Sequence, residues 1–99
     1  MSDAHAHTAV PTQQASKYLQ QLCKHFQHKV KASFDEAQGT LEFEAGRATL
    51  RAESSVLKIK IEARDEDGLK SLEDVVARHL ERFAFRETLA IVWTEADPA

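Results

Sequence analysis

At Lys31 the hydropathy pattern changes period, and no other feature of the chain limits the fold as tightly. Before it, apolar side chains recur at Ala15, Leu19, Leu22, Phe26 and Val30, three and four apart, which lays them on one stripe of a helix. After it the repeat is two: Ala32 and Phe34, Leu41 and Phe43, Ala48, Leu50 and Ala52, then Leu57, Ile59, Ile61 and Ala63, alternating with polar or charged residues. That pattern predicts four half-buried strands in succession. Gln38-Gly39, Ala45-Gly46 and Ser54-Ser55 provide short breaks suited to hairpins, so neighbouring strands should run antiparallel as a meander.

A sheet that alternates cleanly has one wet face and one face that must be covered. The cover comes from the flanks. His5 to Val10 is β-compatible and stops at Pro11, which predicts an opening strand. Thr12 is placed to cap the first helix. Asp65 can cap a second, with Glu66 and Asp67 in the first turn where the helix dipole favours negative charge. Leu69, Leu72, Val76, Leu80 and Phe83 hold the helical period to about Ala84, and Thr88 to Thr94 reads as a closing strand. The expected fold is α+β in the order β-α-β-β-β-β-α-β: an antiparallel meander sheet with two amphipathic helices packed on one face. With 99 residues, 42% of them hydrophobic, the chain should hold one core and one domain, residues 5–94, with 1–4 and 95–99 as flexible tails.

Several function classes are disfavoured by charge and composition. No stretch approaches the roughly 20 apolar residues that span a bilayer, so no membrane partner is expected. Met1-Ser2-Asp3-Ala4 lacks the basic start and apolar core of a secretory signal, and Cys23 is the sole cysteine, which predicts a cytoplasmic protein with a reduced thiol. A formal charge of −3 and a pI near 5.9 argue against nucleic acid as a partner. The open sheet face should carry Lys31, Glu42, Glu44, Arg47, Arg51, Lys58, Lys60 and Glu62. Mixed signs make that a solvated surface, with an anion site on Arg47, Arg51, Lys58 and Lys60 as the sharper alternative.

Five histidines in so short a chain raise the question of a transition metal, since neutral imidazole is a common ligand. His5 and His7, two apart on a strand, share the face opposite Ala6, Thr8 and Val10. His25 and His28 fall about 60° apart on the polar side of the first helix and form a candidate two-point ligand pair. Cys23 lies about 160° from His25, at the edge of the apolar stripe, where a small buried hydrophobe is a better reading than a reactive thiol. His79 falls inside the apolar sector of the second helix, so it must find a hydrogen-bond partner such as a backbone carbonyl, or else line a small pocket between helix and sheet. The chain carries no nucleophile elbow, glycine-rich phosphate loop, Cys-x-x-Cys or His-Glu-x-x-His motif, and thus no signature of catalysis.

Two segments carry a family likeness: Ala15-Ser16-Lys17-Tyr18-Leu19 through Leu22-Cys23-Lys24-His25-Phe26 to His28-Lys29, and His79-Leu80-Glu81-Arg82-Phe83-Ala84-Phe85-Arg86-Glu87. With the His-x-His opening and Trp93, the chain resembles the bacterial domain-of-unknown-function family 2218 over nearly its whole length. The resemblance implies a small stand-alone domain. It also implies a link to iron or siderophore metabolism, because similar domains are attached to siderophore-interacting flavoproteins. It makes Tyr18, Cys23, His79, Arg82, Phe85 and Arg86 the expected ligand or partner surface. The leading expectation is a non-enzymatic binding or accessory module serving a protein partner, as a monomer or a homodimer paired through the last strand. The alternatives are a metal-binding or metal-sensing protein using His5, His7, His25 and His28, and a small enzyme with a pocket near His79.

Overall fold

The computed structural model describes residues 4–95. Its elements are β1 (Ala4–Pro11), α1 (Ala15–Phe26), β2 (Lys31–Phe34), β3 (Gln38–Glu42), β4 (Gly46–Glu53), β5 (Val56–Ala63), α2 (Glu66–Phe83) and β6 (Thr94–Glu95). The strands form one sheet in the order β2-β3-β4-β5-β1-β6 with every neighbouring pair antiparallel. The expected α+β meander with two helices is therefore the observed one. Of the anticipated tails, residues 1–3 and 96–99 lie outside the described residues, while Ala4 and Glu95 are strand termini.

Alternation places Leu41, Ala48, Leu50, Leu57, Ile59 and Ile61 on the covered face, each at most 1% exposed. Leu19, Leu22 and Phe26 from α1 and Leu69, Val76 and Leu80 from α2 pack onto them to form a single core. Helix α2 starts as its sequence predicts, with the Asp65 carboxylate accepting the Gly68 N–H at 2.8 Å. No described helix is long and apolar enough to cross a membrane.

Four local expectations change. Thr12 is not the cap of α1; Gln14 occupies that position without a side-chain bond, and the Thr12 hydroxyl accepts the Gln14 N–H at 3.1 Å. Helix α1 ends at Phe26, so Val30 follows the helix instead of extending its stripe. The β2–β3 turn is Asp35 to Ala37, its shape held by the Asp35 carboxylate accepting the Ala37 and Gln38 N–H groups at 2.8 and 2.9 Å. Gly39 thus lies within β3, where a Cβ would stand 2.7 Å from the Cys23 sulfur: it is the close approach of α1, and not a turn, that needs glycine here. Lastly, residues 88–93 belong to no strand, and pairing with β1 begins only at Thr94. Leu89 is buried and Ile91 and Trp93 half-buried while Val92 is 72% exposed, so the period of two is real. It records one-sided burial, which an unpaired extended segment satisfies as well as a strand does.

Candidate functional site

The chain leaves α2 through a turn in which the Ala84 N–H donates to the Leu80 carbonyl and the Glu87 N–H to that of Ala84. This turn carries Glu87 to the start of α1. There the Tyr18 hydroxyl donates to the Glu87 carboxylate at 2.6 Å and the Thr12 hydroxyl donates to the same oxygen at 3.1 Å. Charge-assisted bonds of this length are among the stronger contacts available to side chains, and these two tie the end of α2 to residues 69 and 75 positions earlier. Burial pushes the Tyr18 phenol up to about 12, with the hydrogen bond and negative charge of Glu87 adding to it. Tyr18 is therefore a fixed donor at physiological pH.

Beside this anchor, Lys17, Tyr18, Phe83, Phe85 and Arg86 line an open depression of about 280 Å³. Phe85 is 79% exposed, and the Arg86 guanidinium sits 5.5 Å from its ring centre, within cation–π range. The structure thus brings together three of the residues nominated from sequence, Tyr18, Phe85 and Arg86, and adds Lys17 and Phe83.

A second cluster joins the C-terminal end of α1 to the last turns of α2. His79 Nδ1 lies 2.7 Å from the Val75 carbonyl oxygen, so the Nδ1–H donates and Nε2 is left as the available lone pair. Its ring stands 4.9 Å from those of both His25 and Phe26. His25 in turn packs 5.0 Å from Phe26 and 5.8 Å from Phe83. The backbone-carbonyl bond expected of a histidine at position 79 is present, on a half-buried ring that stands beside those of His25 and Phe26. His25 Nε2 is buried without a hydrogen-bond partner. Burial, followed by the positive charges of His79, Lys29, Arg82 and His28, holds its pKa below the ordinary histidine value.

The remaining candidates are dispersed. His28 is exposed and lies beyond the end of α1, so the helical angle that paired it with His25 does not apply, and His25 meets His79 instead. His5 and His7 stand on the opposite, uncovered side of the sheet, His5 with its Nδ1 3.7 Å from Glu62. Among the described residues, no group of three or more His, Cys, Asp or Glu side chains is arranged to hold a metal ion. Cys23 is fully buried, and burial pushes its thiol up to about 11, as suits a small hydrophobe. Arg82 is exposed and outside the depression, though its charge reaches His25. Glu87 was not among the residues nominated from sequence. A carboxylate just past a helix end reads as solvated charge, and only the distant Tyr18 and Thr12 give it a role.

Fold and corner together define a small two-layer α+β domain with an exposed aromatic and cationic corner fixed by a tyrosine–carboxylate bond. The chain belongs to the family described as "Uncharacterized protein conserved in bacteria (DUF2218)", whose family model matches residues 7–94. It is similar to the protein in the NMR structure of PA4090 from Pseudomonas aeruginosa, at 32% identity with a TM-score of 0.78, over 92% of this chain and 95% of that one. No curated protein matches.

Proposed function

We propose that the chain is a small binding or accessory module whose contact surface is the corner of Lys17, Tyr18, Phe83, Phe85 and Arg86, and whose partner is a siderophore-interacting flavoprotein. The observation that supports this is Phe85: a large aromatic ring left 79% exposed beside two cations, on backbone held in place by Glu87. Aromatic and arginine side chains supply a disproportionate share of binding energy at protein interfaces, and a pre-formed corner loses little freedom on docking. The choice of partner follows from the resemblance to domains attached to such flavoproteins. In an ¹⁵N NMR titration with a purified siderophore-interacting flavoprotein, resonances of Lys17, Tyr18 and 83–87 should shift or broaden, and Phe85→Ser should suppress the effect. No perturbation with the wild-type chain, or an equal effect with Phe85→Ser, refutes this reading.

A second reading, metal binding, is favoured by one observation, the buried unpartnered Nε2 of His25 beside a histidine whose own Nε2 is free of the Val75 bond. On this reading the ligand pair is His25 and His79, with exogenous ligands completing the set, against the opposing charge of Lys29 and Arg82. Elemental mass spectrometry of untagged protein dialysed against metal-free buffer should then show near-stoichiometric metal that His79→Gln releases. Trace metal in the wild-type protein removes the reading.

A further inference from the structure

Strand register orders the uncovered face of the sheet into rows of directly opposed residues, and the rows differ. One row runs Lys31, Glu42, Arg47, Glu62, His5 across β2, β3, β4, β5 and β1. Its signs alternate from Lys31 to Glu62, with Arg47 paired to Glu42 at 3.8 Å and the His5 Nδ1 3.7 Å from Glu62. This is how a solvated sheet face neutralises itself.

The next two rows do the opposite. One runs Ser33, Thr40, Thr49, Lys60, His7, and the other Gln38, Arg51, Lys58, Ala9. Neither contains a carboxylate. Lys58 stands directly opposite Arg51, and Lys60 directly opposite His7. Like charges at directly opposed positions, as in the Arg51–Lys58 pair, destabilise a sheet, and here three cations gather in a chain whose net charge is −3, so overall composition does not account for them. Lys58 reaches a carboxylate one row further on, Glu53 at 3.4 Å, but both groups are about half exposed and such a pair is readily exchanged. Among the described residues Arg51 and Lys60 have no ion-pair partner.

These side chains surround an open depression of about 340 Å³ lined by His7, Ala9, Thr49, Arg51, Lys58 and Lys60. Rows on one face are about 6.7 Å apart along a strand and neighbouring strands about 4.8 Å apart, so the cations sit at the corners of a patch wider than one tetrahedral anion. An arginine fork, two ammonium groups and a threonine hydroxyl are the donors that phosphoryl oxygens accept from. No Phe, Tyr or Trp stands in these rows, so the stacking platform that single-stranded nucleic acid uses is missing. We propose that this face binds the di- or triphosphate group of a small molecule, with Arg51, Lys58 and Lys60 as the main contacts and His7 and Thr49 completing the site. The site lies on the uncovered side of the sheet and does not depend on the corner described above.

Inorganic tripolyphosphate is the probe. At low ionic strength it should give saturable ¹⁵N shifts at His7, Thr49, Arg51, Lys58 and Lys60. The surface double variant Arg51→Gln/Lys60→Gln should weaken binding at least about tenfold, whereas Arg47→Gln, in the self-neutralised row, should stay within about twofold. The proposal is overturned if no saturable shifts occur, if the double variant binds as tightly as the wild type, or if orthophosphate binds as tightly as tripolyphosphate. It is also overturned if an oligothymidylate competes at lower concentration than tripolyphosphate, which would assign the face to nucleic acid.

Discussion

Helix α1 meets the end region of α2 in two places, and the two are built on opposite terms. At the corner, Tyr18, Thr12 and Glu87 close a polar knot in which both hydroxyls donate to one carboxylate. At the histidine cluster, His25 and His79 pack ring to ring at 4.9 Å, and one buried nitrogen is left without a partner. The first contact gains from polarity and the second tolerates it. A buried polar atom without a partner costs stability, so a satisfied contact is expected to weaken when its polar group is removed, and an unsatisfied one to be unharmed or improved.

The larger effect is expected at the corner. Tyr18→Phe keeps the ring and its packing but deletes the donor at 2.6 Å from Glu87. Hydrogen bonds to charged groups contribute about 1.5–3 kcal/mol, and because Glu87 is open to solvent the loss here should be about 1–2 kcal/mol. Urea denaturation of the two proteins measures it directly. An unchanged midpoint would mean that the anchor is ornamental and that Phe85 is held by packing alone.

How much of this comparison the sequence disclosed depends on distance along the chain. Periodicity located α1, α2 and the four central strands because burial repeats within a few residues, and the Asp65 cap was legible because its partner is three residues away. Gly39 was misread as a turn signal because its reason is Cys23, on another element. Residues 88–93 were read as a strand because alternation marks burial and says nothing of pairing. The corner was half legible: Tyr18, Phe85 and Arg86 could be nominated, but the carboxylate that fixes them could not, since a bond across 69 residues leaves no local pattern. The histidines follow the same rule. Spacing on one helix suggested His25 with His28, whereas packing between two helices gave His25 with His79.

The smaller effect is expected at that cluster, and it appears as a pH dependence. His25 has a folded-state pKa held below its ordinary value of 6.5 by burial and by the positive charges of His79, Lys29, Arg82 and His28. The folded chain therefore takes up this proton less readily than the unfolded chain. Its contribution is fully present above about pH 6.5 and is lost as pH falls through that value toward the lower folded one, because there the unfolded state binds more protons. The ring is only half-buried, so solvent screening should keep the loss under about 1 kcal/mol. His25→Phe preserves a ring against Phe26 and Phe83 and removes both the titration and the unpartnered nitrogen. Thermal melts from about pH 8 to about pH 5 should then show the wild-type protein losing stability relative to His25→Phe on the acid side, with the variant at least as stable at neutral pH. If the two curves run parallel, His25 carries no burial penalty, and the contrast between the satisfied corner and the unsatisfied cluster dissolves.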